Sequence, residues 1–173
     1  MAIKEILTFP NTLLREPTEK VTVFDAELKA LARDMEETMF AAPGVGLAAN
    51  QIGILKRLIV VDDYDEENKK HRLLDLANPE ILHLEGEQIQ EEGCLSVPEF
   101  RAEVKRATAV VVRAQDLNGD EVMIRAESFL AIILQHEIDH LNGVLFIDHL
   151  SPLKRAAVKR RLRHAGQSAE TNG

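Results

Sequence analysis

One stretch of this chain leaves little choice about where it can lie. From Ser128 to Leu141 the apolar residues Phe129, Leu130, Ala131, Ile132, Ile133, Leu134, Ile138 and Leu141 fall on every face of a helix, so the helix belongs in the core. Embedded in it is Gln135-His136-Glu137-Ile138-Asp139-His140. Ionisable groups are costly to bury unless something pairs with them. Residues four apart sit about 40° apart around a helix, so His136 and His140 point the same way and can share one metal ion, with Glu137 beside them as a proton carrier. A bare match of this length arises by chance; its burial in an apolar helix is what makes a metal the natural partner. Ser128 is placed to cap the helix and Gly143 to follow its end.

The rest of the chain must enclose that helix. Leu28, Leu31, Met35 and Met39 recur at helical spacing between Asp25 and Ala41, and Ala42-Pro43-Gly44 ends that run. Leu58-Ile59-Val60-Val61 reads as a buried strand, and Tyr64 to Lys70 as an exposed loop. Val104 to Gln115 and Glu121 to Arg125 flank Asp116-Leu117-Asn118-Gly119-Asp120, a hairpin signal. A final helix starts near Ser151-Pro152. The expected fold is α+β: antiparallel β-sheets packed around one buried helix carrying the histidine pair, plus a C-terminal surface helix. One domain is expected over residues 1–165, followed by a polar, flexible tail over 166–173. No segment approaches the ~20 apolar residues of a membrane span, the N-terminus lacks a signal peptide's apolar core, and the single Cys94 suits a reducing cytoplasm.

Two histidines leave the metal a ligand short. Asp148 and Glu170 are the only carboxylates after His140, and Phe146 stands where one protease subclass has its third histidine. His149 and His164 remain conceivable ligands, whereas His71 and His83 read as surface residues. Cys94, in Glu91-Glu92-Gly93-Cys94-Leu95-Ser96-Val97-Pro98, is the better candidate. Its thiolate completes a Cys-His-His set with the fourth position open, as catalytic sites require. Gly44-Val45-Gly46-Leu47-Ala48-Ala49-Asn50-Gln51 fits no phosphate-loop fingerprint. Its glycines admit a close-lying peptide backbone, and the Gln51 amide can donate to an oxyanion.

Taken along the chain, the Gly44–Gln51 segment, Glu92-Gly93-Cys94-Leu95-Ser96 and the Gln135–His140 segment resemble, in that order, the three motifs of the peptide deformylase family, and the similarity runs from Ile6-Leu7 to Leu150-Ser151-Pro152-Leu153-Lys154. The resemblance implies removal of the N-formyl group from the formylmethionine of newly made proteins, using a metal-bound water and Glu137 as general base and acid. It implies a metal on Cys94, His136 and His140, with Fe(2+) as the cellular ion and Zn(2+), Ni(2+) or Co(2+) able to replace it. Gln51 and the Leu95 backbone N–H would meet the oxyanion. Val45, Phe129, Ile132 and Ile133 would line a methionine pocket, Val45-Gly46 would pair with the extended substrate, and Glu92 would count among the substrate-binding residues while tying the Cys94 turn to Arg101 or Arg106. Its partners would be formylmethionyl nascent peptides, without a membrane. A zinc endopeptidase of the HExxH type is the alternative enzyme, and a binding module with a structural metal the non-enzyme one. Of 21 Lys and Arg, six lie in residues 153–173 with one acidic residue, against 15 basic and 28 acidic before them. A basic terminal helix on an acidic body suggests docking on ribosomal RNA near the tunnel exit.

Overall fold

Asp25 starts the first helix by accepting a hydrogen bond from the Leu28 N–H at 3.0 Å, and α1 (Ala26–Ala41) then turns Leu28, Ala32, Met35 and Met39 inward. The structure is a computed structural model that describes residues 2–171, with side chains to residue 163. After α1 come β1 (Gly46–Ala48), a 3-10 turn (Ala49–Ile52), β2 (Leu58–Asp62), β3 (Leu73–Glu85), β4 (Gln88–Cys94), β5 (Val97–Arg106), β6 (Ala109–Gln115) and β7 (Glu121–Glu127). The buried helix α2 (Ser128–Leu141), another 3-10 turn (Phe146–His149) and α3 (Pro152–Thr171) follow.

Five strands make one antiparallel sheet in the order β1-β2-β3-β6-β7, and β4 and β5 form a separate pair. Strand β2 is buried throughout because both faces are covered. Ile59 and Val61 pack with Leu134 and Ile138 of α2, whereas Leu58 and Val60 pack with Met35 and Met39 of α1. That alternation is the period of two of a β-strand. A third cluster joins Val97 and Val104 to Leu145, Phe146 and Ile147 under Leu14 and Val158. The α+β architecture read from the sequence is the one observed. Gly143, at φ 74°, donates to the His140 carbonyl just past α2, where the sequence put it.

The structure corrects several local readings. Ser128 does not cap α2: it has φ 54°, and its N–H goes to the Thr108 carbonyl at 2.9 Å. The chain passes from β7 straight into α2, so this residue makes the corner instead. The run from Val104 to Gln115 is two strands, since Val104–Arg106 belong to β5 and Ala109–Gln115 to β6. A continuous β-prone pattern does not say where the chain changes sheets. Asp139 is half-buried rather than enclosed. The last helix continues to Thr171, through the residues read as a tail; Ala165, Gln167, Ala169 and Glu170 are all good helix formers. Within its described side chains only Val158 is buried, so α3 lies on the surface.

Candidate metal centre and active site

Three elements meet at the inner end of a cavity of about 590 Å³. Helix α2 brings His136, Glu137 and His140; the end of β4 brings Cys94; and the segment after β1 brings Gln51. Cys94 Sγ lies 3.2 Å from His140 Nε2, which lies 3.2 Å from His136 Nε2, and all three donor atoms fall within 4.8 Å of one another. A thiol and two imidazoles aimed at one point suit a borderline-soft divalent ion and supply three of four tetrahedral positions. Buried Glu137 Oε1, on the cavity wall, has no hydrogen-bond partner, so this pocket holds polar capacity that the protein alone does not use.

The two histidines sit in different electrostatic surroundings. Burial disfavours the charged form of His136, but hydrogen bonds to Cys94 and Glu92 and the Glu137 charge outweigh it and hold its pKa well above the ordinary value. Burial and the neighbouring His136 push His140 well below its own. Of the two rings, His136 is therefore the one whose protonated form the surroundings favour. Burial also raises Glu137 to about 7, with His136 and Arg106 opposing. A bound metal ion would add positive charge beside it and favour the carboxylate.

Neighbouring groups orient His136 and Gln51. Burial opposes ionisation of Glu92, yet Arg106 and His136 prevail and lower its pKa to about 2. Arg106 holds both Glu92 oxygens, at 2.8 and 2.9 Å, and Glu92 Oε1 takes the His136 Nδ1–H at 3.0 Å. That bond fixes the tautomer that leaves Nε2 free for a metal. Of the two arginines considered for Glu92, Arg106 is the partner; Arg101 pairs with Glu91 instead. Both Glu92 oxygens are thus engaged by protein groups, although the residue also lines the cavity. Gln51 Oε1 accepts from the Ala48 N–H at 2.9 Å, which obliges its NH₂ to face Ser96 Oγ at 3.0 Å and Cys94 Sγ at 3.8 Å.

Val45, Gly46, Gln51, Glu92, Cys94, Leu95, Phe129, Ile132, Ile133, His136 and Glu137 all line the cavity, and His140 lies buried behind them. Ile132 and Ile133 are enclosed, whereas Val45 and Phe129 are exposed. The open edge of β1, which pairs only with β2 among the described residues, borders the cavity at Gly46. Asn50 was not given a role from sequence. It is fully buried and donates to the His140 carbonyl at 2.5 Å, pinning the end of α2 to the glycine segment. Nothing in its residue type announces that contact. His149, a conceivable third ligand from the sequence, lies outside the Cys94-His136-His140 group and bonds Asp139, and the His164 side chain lies outside the described residues. His71 is exposed and bonds Asp62 at 2.7 Å; His83 is exposed on β3.

Residues 3–156 match the family model described as polypeptide deformylase. Relatives include a peptide deformylase of Desulfotalea psychrophila, 50% identical over 163 residues covering 94% of this chain and 96% of the relative. Another, from Acidobacterium capsulatum, is 50% identical over 170 residues, 98% of this chain and 99% of the relative. The crystal structure of a peptide deformylase from Legionella pneumophila superposes with a TM-score of 0.88 at 46% identity, covering 98% of each chain. The endopeptidase alternative finds no support in these relationships. The chain belongs to the polypeptide deformylase family, metal-dependent hydrolases that remove the N-formyl group from newly made peptides.

Proposed function

We propose that Cys94, His136 and His140 hold one divalent ion and that Glu137 and Gln51 carry out deformylation of formylmethionyl nascent peptides beside it. The observation that carries this reading is the convergence of the three donor atoms within 4.8 Å beside a cavity that Glu137 and Gln51 also line. When bound, the ion would acidify water and polarise the formyl oxygen. Iron(II) in the cell is supported by the family resemblance, and the donor set also suits zinc, nickel or cobalt.

Glu137 takes the proton of the attacking water and returns it to the leaving amine; its partnerless Oε1 supports that role. The Gln51 NH₂, held toward Cys94 by its own carbonyl's bond to Ala48, and the Leu95 backbone N–H receive the oxyanion. Val45 and Gly46 pair with the extended peptide along the open edge of β1. Ile132, Ile133, Phe129 and Val45 take the methionine side chain against apolar surface. Glu92 serves indirectly, by orienting His136.

The test compares formyl-Met-Ala with an unformylated internal peptide, for wild type and Cys94→Ser. The expected result is cleavage of the formyl substrate alone, with metal content and activity lost in the variant. A Cys94→Ser protein with normal metal and rate would require another third ligand. The cytoplasm is the compartment where such a substrate is made. Lys154, Arg155, Lys159, Arg160, Arg161 and Arg163 on α3 support docking to ribosomal RNA through phosphate contacts. Truncation after Pro152 should weaken ribosome co-sedimentation at low salt while short formyl peptides are still processed; unchanged co-sedimentation would refute the docking.

A further inference from the structure

The hydrogen bonds that steady His136 do not end at Glu92. Arg106 clamps Glu92 with Nε and Nη2, and its Nη1 reaches Asp139 Oδ2 at 2.6 Å. The same Asp139 oxygen is met by His149 Nε2 at 2.8 Å. That nitrogen must carry a hydrogen, because a bare lone pair facing a carboxylate oxygen at this distance would be repelled; the Arg106 Nη1 contact, at 3.4 Å, is too long to decide otherwise. The resulting chain runs from His149 on the 3-10 turn Phe146–His149, through Asp139 on α2, Arg106 on β5 and Glu92 on β4, to His136.

We infer that His149 is a positioning residue for the metal ligand His136, acting through Asp139, Arg106 and Glu92. The inference rests on Cys94, His136 and His140 being the ligands. Arg106 is one cation, 4% exposed at its side chain, held between two carboxylates. Glu92 is equally buried and cannot leave, but the Asp139 side chain is 26% exposed, so water competes for it. The bond from His149 keeps that oxygen on Arg106. Without it Asp139 turns to solvent, the guanidinium loses its second anchor and tilts, and Glu92 tilts with it. Because Glu92 sets the direction of His136 Nδ1–H, the ring's Nε2 then points less well at the ion. Direct loss of a ligand's hydrogen-bond partner typically costs 10–100-fold in metal affinity or activity. Acting several contacts away, His149 should be worth about threefold to tenfold.

Cobalt(II)-loaded wild type, His149→Leu and His149→Gln would be compared for the rate of cobalt loss to a chelator, the visible absorption of the bound cobalt, and kcat and KM. Glutamine puts an N–H donor near the place of histidine Nε2. The leucine variant should lose cobalt about threefold to tenfold faster, shift the cobalt bands and lower kcat with KM unchanged, and the glutamine variant should recover all three. In a Glu92→Gln background the leucine substitution should add little, because the chain is already cut. Wild-type cobalt loss and spectrum in His149→Leu, with only a lower Tm, would overturn the inference, as would equal defects in Leu and Gln. If the leucine variant does not fold, His149→Ala carries the same readouts. A Cys94→Ser control with an unaltered cobalt spectrum would instead refute the ligand assignment on which the inference stands.

Discussion

Gly46→Ala asks how closely the site is built. A Cβ at this position would lie 2.9 Å from Glu137 Cγ and 3.0 Å from Cδ, and nearer still to Oε2. Ordinary contact begins at about 3.4 Å, so the carboxylate must retreat by at least about 0.5 Å. The backbone cannot easily give instead, because Gly46 is paired with Val61 of the fully buried β2. Overpacking of this kind costs about 1–3 kcal/mol of stability, and misplacing a reacting group by about 1 Å can cost 10²-fold in rate. A shift of about half that or more should lower kcat roughly 10- to 100-fold with metal content near one per chain. Gly44→Ala is the matched control, since its Cβ would meet only the flexible tip of Leu95 at 2.8 Å and should change kcat less than about threefold. Steady-state deformylation with metal analysis and thermal melts reads both variants. A folded, metal-replete Gly46→Ala enzyme with wild-type kcat would refute the claim that Glu137 must sit where it does.

Glu137→Gln keeps the shape and removes the base, so turnover should fall by about 10²–10⁴ while bound metal persists; full activity in this variant would reassign the proton transfer. Iron(II)-loaded enzyme in air should lose activity through oxidation of the ion and the Cys94 thiolate while the nickel form survives, and equal lifetimes would count against that chemistry. Asp75 has its pKa raised to about 8, by burial first and then by the Glu36 carboxyl beside it. The fold favours its protonated form, so this contribution to stability is full below about pH 4, the unfolded value, and is lost as pH rises towards 8. Asp75→Asn should therefore raise Tm at pH 8–9 and flatten its fall above pH 5; parallel pH curves for the two proteins would show that Asp75 ionises freely.

The sequence alone settled what depends on short-range periodicity. Leu28, Met35 and Met39 marked α1, the apolar coat of α2 required burial, and spacing by four put His136 and His140 on one side of it. These follow from helix geometry, which repeats within a few residues. The three motifs together also pointed to the family, because each holds residue types that the chemistry requires. Contacts between distant segments were not legible in this way. Cys94 could be named as a ligand only by elimination and resemblance; what brings it 3.2 Å from His140 is a two-stranded ribbon that the turn signals did not disclose. The choice of Arg106 over Arg101 depended on which face of β5 meets α2, and Asn50 gained its role from a carbonyl 90 residues away. Ser128 reads as a cap from its type, but strand β7 entering α2 without a loop made it the corner. Hydrogen-bonding capacity is written into each side chain, whereas its partner is decided by how sheets and helices pack. For this protein the sequence supplied the candidate groups, and the packing of α2 against β1 and the β4–β5 pair brought them to one point.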